Sequence, residues 1–313
     1  MTLSPETEAF LKNTCIFCQP WWLQAVAPDR WDVAVTNRGQ EVAAVWPYAY
    51  KIRLGRYRLI ELPDLTPYLG PWLRVSTAKN SRRLAEEKDL MTELVENLPP
   101  FAVFQQWLHP SISNWLPFYW KGFSQTTRYT YCFSDTRDLD AIWREVNQNI
   151  RTDMRKAGKE LKVVEEDGLE RFLLLERATF ARQGLSLPFS EDSLRRLDLE
   201  CVQRGARKIL CAEDVQGRAH AAAYIVYDER AVYTLLRASD PKLRNSGATS
   251  LVVWKAIEFA SSQAKAFDFL GSFVEPIERF VRGFGGRQTP FFEIAKANSP
   301  LVRGYRTLRS WAH

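Results

Sequence analysis

The sequence predicts an α/β protein with mixed sheets, organised as two domains. Three observations carry this reading. The chain has 313 residues, whereas one core ordinarily serves about 100–200. Both halves run strands, helix, strand, helix, strand. The composition break nearest the middle lies at Ser134–Leu139, which sets the expected domains at 1–135 and 136–313.

In the first half, Trp21–Val26 reads as a short helix ending near Pro28. Asp32–Thr36 and Glu41–Tyr50 read as strands around the turn Asn37–Gln40. Leu59–Leu62 and Gly70–Val75 are extended pieces among Pro63, Pro67 and Pro71. Leu84, Leu90, Leu94 and Val95 give Ser81–Glu96 a helical spacing. Phe101–Trp107 is a strand, a short aromatic helix follows, and Thr126–Phe133 is a further strand.

In the second half, Ile142, Val146, Ile150 and Met154 recur every four residues and predict one helix over Leu139–Lys159. Arg151, Arg155 and Lys159 line another face of it. Leu169–Gln183 and Glu191–Gln203 read as helices, the latter opened by Ser190. Lys208–Glu213, Ala221–Tyr227 and Ala231–Ala238 form an antiparallel meander. Then come a basic loop over Ser239–Gly247, an apolar helix Ala248–Gln263, a strand Ala266–Leu270, a helix near Pro276–Phe284 and a strand Pro290–Ala295.

Composition narrows the function. Hydrophobic residues at 46% and charged residues at 26% exclude chain-level disorder. A net charge of +6 suits anionic ligands, but is too small for a dedicated nucleic-acid binder. Five Cys in a chain this long do not make a disulfide scaffold. Cys15 and Cys18 form a lone C-x-x-C with no second pair, and the histidines, His109, His220 and His313, are far apart. No metal is expected, and the pair reads as ordinary thiols. The polar N-terminus does not read as a signal peptide. The longest uncharged run, Asn97–Trp120, carries Pro99, Pro100, Pro110 and Pro117 and does not read as a membrane span. The expected location is cytoplasmic, compatible with peripheral contact at a membrane.

The strongest local signal is strand, basic loop, glycine, helix, strand over residues 231–270. A helix N-terminus offers free N–H groups and a positive dipole end. With Lys242 and Arg244 before it and Gly247 at its start, it suits a phosphate or pyrophosphate. Neither the Walker A nor the dinucleotide glycine pattern occurs there.

Arg244-x-x-Gly247-Ala248 resembles the acyl-CoA pyrophosphate loop of the GNAT N-acyltransferases. Three stretches resemble the FemXAB-like branch of that superfamily. They are Arg151–Lys159, Leu236–Ala248 with Ser239-Asp240-Pro241, and Phe267–Ser272 followed by Ile277–Gly286. Pro67–Trp72 resembles a segment of the same family's N-terminal half. Two departures matter. Thr249 replaces a small residue of simple GNAT enzymes, and no Tyr follows the Ala266–Leu270 strand where many of them keep a general acid.

The resemblance implies two tandem GNAT-like domains, the first degenerate and on the acceptor side. It implies an N-acyltransferase that moves an acyl or aminoacyl group from a CoA thioester or an aminoacyl-tRNA to an amine. That amine would belong to a small molecule or a cell-envelope precursor. The donor, acyl-CoA in the first case, would sit on Arg244, Asn245, Ser246, Gly247 and Ala248. Asp268 and Glu278 are the carboxylates available as base or amine holder, and Arg282 the cation for the developing oxyanion. Arg151, Arg155, Lys159 and Arg53 are the candidates for holding an anionic acceptor. A rival reading from another class is a non-catalytic anion- or nucleotide-binding module, which Thr249 and the missing Tyr support.

Overall fold

The computed structural model describes residues 3–298. The C-terminal end of the expected second domain, from residue 299, lies outside the described residues. Two compact units form. One comprises the chain up to Arg128 and again from Pro290; the other is Tyr129–Thr289. The division therefore falls before residue 135, and the chain returns to the first unit from Pro290. Two strands cross the division within their own length, so no loop composition marks it.

The first unit holds α1 (Pro5–Lys12), α2 (Pro20–Val26), β1 (Trp31–Arg38), β2 (Glu41–Arg53), β3 (Tyr57–Glu61), β4 (Trp72–Leu73), α3 (Asn80–Glu96), β5 (Val103–Trp107) and α4 (Leu116–Trp120), with half of β6 (Ser124–Phe133) and most of β12 (Arg287–Ala297) contributing to it. β1 and β2 form the expected hairpin, β2 pairs antiparallel with β3, β3 pairs parallel with β5, and β5 pairs antiparallel with β12. The run Ala43–Ala49 is buried throughout, as a strand covered on both faces requires. Trp46, Phe104, Phe118 and Phe123 pack edge to face in this core. The Trp46 indole N–H donates to Gln106 Oε1 at 2.7 Å, satisfying a buried donor.

The second unit holds α5 (Leu139–Glu145), α6 (Gln148–Glu160), β7 (Lys162–Glu166), α7 (Glu170–Ala181), α8 (Glu191–Gln203), β8 (Arg207–Glu213), β9 (Ala219–Tyr227), β10 (Ala231–Ser239), α9 (Ala248–Ser262), β11 (Ala266–Asp268) and α10 (Glu275–Arg282). β7 to β10 form an antiparallel meander. β10 then pairs parallel with β11, which pairs antiparallel with β6. α9, with α6 beside it, covers one face over Ile225, Val232, Phe267 and Phe269. α7 packs on β9 and β10, where Phe172 meets Tyr224. Among the described helices none is long and apolar enough to cross a membrane.

Three elements differ from the sequence reading. The helix expected over Leu139–Lys159 is two helices. Val146 is extended (ψ 132°), and Asn147 opens α6 with its side chain accepting from the Asn149 amide at 2.9 Å. The Asn147 amide donates to Gly283 O at 2.8 Å, so a distant loop fills the break. The four-residue repeat survives because Val146 stays buried on the same core. β7 was not expected, since Lys162–Glu166 has too little alternation and gains its order from pairing with β8. α1 was also unexpected; Ser4 caps it through the Thr7 amide at 3.2 Å.

The break predicts a local cost. Asn147→Ala should lower unfolding stability by about 1 kcal/mol, the usual worth of an N-cap side chain. Urea denaturation checks it; an unchanged midpoint would mean the Gly283 contact alone sets the break.

Candidate functional site

The central feature is how β10 and β11 part. They pair in parallel only from Ala231 with Ala266 to Tyr233 with Asp268. β11 stops there, while β10 continues to Ser239. Just beyond the last pair β10 bulges. Thr234 faces Ile225 and Leu236 faces Tyr224, so Leu235 has no partner on β9. A bulge adds a residue and bends its strand. The result is a gap in the pairing along that edge of β10, running toward the loop that follows the strand.

That loop is Asp240–Gly247. Asp240 accepts the Lys242 amide at 2.8 Å, and Arg244–Ser246 form a single 3-10 turn. Gly247 is the N-cap of α9 in the left-handed region (φ 78°). The sequence reading gave Gly247 a role in letting an anion approach. The structure supplies another reason: a Cβ there would lie 2.3 Å from the Asp153 carbonyl oxygen of α6. Gly247 is thus needed for the close approach of α6 to the start of α9. Lys156 Nζ also reaches the Asn245 carbonyl at 3.1 Å. Arg244 is exposed and its side chain makes no hydrogen bond or ion pair among the described residues, and Ser246 Oγ accepts the Ala248 amide at 3.4 Å. An uncommitted guanidinium beside a long helix's N-terminus fits an anionic donor group.

The three proposed catalytic side chains do not come together. Asp268 is 6% exposed. Its Oδ1 accepts the Thr130 hydroxyl at 2.5 Å and the Leu270 amide at 2.8 Å. It thereby holds a turn in which Leu270 (φ 60°) and Gly271 (φ 50°) are both left-handed. Such a conformation at Leu costs energy and needs the surroundings to impose it. Asp268 lies beside Cys132, and burial, with this carboxylate second, raises that thiol's pKa.

Glu278 lies elsewhere. Its Oε1 accepts the Tyr131 hydroxyl and Arg282 Nε, the latter at 2.9 Å. Gln288 Nε2 donates to the same Tyr131 oxygen at 3.0 Å. The Tyr131 bond, then Arg282, holds the Glu278 carboxyl below its ordinary pKa. Burial and then Glu278 raise Tyr131, which stays protonated at neutral pH. Thr130 and Tyr131 are adjacent on β6 and so point to opposite faces. Asp268 therefore belongs to one face, and Glu278 with Arg282 to the other. Arg282 is largely exposed on α10.

The binding candidates are dispersed. Arg155 stacks over Trp143 at 5.8 Å, Arg151 donates to Gln148 Oε1 at 3.0 Å, and Lys159 is exposed, all on α6. Arg53 sits at the exposed end of β2 in the first unit. Cys15 and Cys18 are buried thiols with Sγ atoms 3.7 Å apart. Among the described residues no group of three or more His, Cys, Asp or Glu is placed to hold a metal. The first unit has its own cavity of about 290 Å³, lined by Arg30, Tyr50, Lys51, Glu61 and Asp64 among others. Sequence reasoning missed Tyr131. Its hydroxyl comes from β6, the strand beside β11, and meets Glu278 and Gln288.

A parallel pair that parts beside a bulge, with a basic loop and helix after it, defines the GNAT class of fold. Residues 144–276 match the family model described as "Acetyltransferase (GNAT) domain". The chain is similar to a solved structure of FemX (TM-score 0.67, 13% identity, covering 93% of this chain and 96% of that one). It is similar to the C-terminal domain of a putative lysylphosphatidylglycerol synthetase from Agrobacterium fabrum (0.59, 10%, 93% and 90%). It is also similar to a tandem GNAT protein of the clavulanic acid biosynthesis pathway (0.52, 9%, 89% and 87%). No curated protein sequence matches it. The chain has the FemXAB-like tandem GNAT fold.

Gly247→Ala should lower the melting temperature even without ligand, since the added carbon meets the α6 backbone and the φ is positive. A loss of about 1–3 kcal/mol is the usual scale of such strain. Unchanged calorimetric melting would show that α6 can yield.

Proposed function

We propose that this chain is an N-acyltransferase, and that the observation carrying the reading is the parted β10–β11 pair with the Arg244–Gly247 loop at the head of α9. The donor's anionic part lies on Arg244 and the Asn245–Ala248 turn at the head of α9, as acyl-CoA or as the end of an aminoacyl-tRNA. The acyl carbon lies in the gap, where backbone at the Leu235 bulge is available to a developing oxyanion. The acceptor is an amine on a small molecule or a cell-envelope precursor; the likeness to the domain of a putative lysylphosphatidylglycerol synthetase supports an aminoacyl-type reaction. Arg151, Arg155 and Lys159 are its anion contacts. The first unit, with Arg53, serves as a degenerate GNAT-like domain on the acceptor side. Glu278 and Arg282 act as one unit with Tyr131, and Asp268 acts separately by holding the β11 turn.

The test offers the protein acetyl-CoA, longer acyl-CoAs or aminoacyl-tRNA, each with a panel of amines, and detects amide product by mass spectrometry. Product in one donor class is expected. Arg244→Ala should weaken that donor about tenfold, as loss of a charge-assisted contact does. A tRNA donor should also lose affinity steeply with salt. Donor binding without product in every arm would make the chain a binding module.

A further inference from the structure

Glu176 on α7 is unusual for a carboxylate. It is 2% exposed, and its Oε2 has no hydrogen-bond partner among the described residues. Buried carboxylates are ordinarily paired or hydrogen-bonded, so an orphaned one calls for a reason. The charge acting on it is Arg237 of β10. Arg237 Nη1 is itself enclosed without a partner, and so is Thr234 Oγ1 on the same strand. The three orphaned polar atoms thus belong to β10 on either side of its bulge and to the helix packed on it. The last turn of α7 is fixed there. Thr179 Oγ1 donates to the Ser239 carbonyl at 3.0 Å and accepts the Ser239 amide at 3.2 Å. Glu176 lies one turn before that stitch, and Arg237 two residues before it. Two further polar side chains of β9 lie in this unit, and His220 Nδ1, like the three atoms above, is enclosed without a partner among the described residues. Tyr224 of β9 donates its hydroxyl to Asp198 of α8, and His220 Nε2 is on Asp214.

We propose that Glu176, positioned by Arg237, is the group that takes the proton from the attacking amine. This rests on the transferase reading above. The amine arrives as an ammonium ion and gives one proton to the Glu176 carboxylate. Its nitrogen lone pair then forms the N–C bond to the acyl carbon. The C–S or C–O bond to the donor breaks with its electron pair leaving on sulfur or oxygen. The second nitrogen proton passes to that leaving group, and Glu176 returns its own proton to water. Burial supports the role by lifting the Glu176 carboxyl to about 7, with Arg237 opposing the rise. A base that titrates near the working pH is the most effective one.

The experiment uses the donor and amine that give most product in the screen above, and compares Glu176→Gln and Glu176→Asp with the wild type from about pH 5 to pH 9. Expected for Glu176→Gln is a kcat at least about 100-fold lower with KM nearly unchanged, within the range for a lost general base. The wild-type rate should rise with pH and level off near 7. In Glu176→Gln that limb should move up to the amine's own pKa, and Glu176→Asp should keep the limb at a reduced rate. A kcat of Glu176→Gln within threefold of wild type overturns the inference and leaves the transferase intact. Absence of transfer by the wild type overturns both. Folding is checked by melting. The raised pKa means the folded state holds its proton more tightly than the unfolded chain, so stability falls as pH rises from about 4.5 through 7. Glu176→Gln should therefore gain melting temperature relative to wild type between pH 5 and pH 8. If Glu176→Gln fails to fold, a wild-type profile without a limb near 7 still overturns the proposal.

Discussion

The second unit depends on where β10 stops pairing with β11. Three residues of parallel ladder fix the two strands, and the bulge at Leu235 then turns β10 away. Without the ladder the strands would have no common origin; without the bulge they would close into an ordinary sheet with no room between them. The Asp268 turn serves the same end. It halts β11 by accepting the Leu270 amide, and it forces two left-handed residues that no strand can continue.

Charge in the second unit is distributed by distance from water. Arg244 at the loop is exposed and uncommitted, suited to a charged ligand that brings its own counter-charge. Glu278 and Arg282 are paired and near the surface, so their attraction is screened and contributes little to stability. Glu176 and Arg237 are enclosed and not joined by a hydrogen bond, which is the costly arrangement. A fold selected for stability alone would replace them with apolar side chains.

The helices that carry the family-like motifs turn out to be structural partners of one another. Gly247, Asp153 and Lys156 join the head of α9 to α6, and Gly283 fills the break before α6. Residues far apart in the chain are therefore coupled through backbone contacts. A substitution at Gly247 acts on packing before it acts on any ligand.

The sequence by itself determined the element types along most of the chain, because hydrophobic period and turn residues are local properties. The β1–β2 hairpin, the meander and α9 all follow from them. It also marked the Arg244–Gly247 loop, whose charge and glycine stand out without any partner. Only the tertiary structure decided the break at Val146, since Gly283 supplies the bond that permits it. Only it decided that Asp268 and Glu278 face opposite sides of β6, because a two-residue period assigns faces only once the strands are paired. Tyr131 and Glu176 were invisible for the same reason. A tyrosine in a strand and a glutamate in a helix are unremarkable until the fold shows what surrounds them.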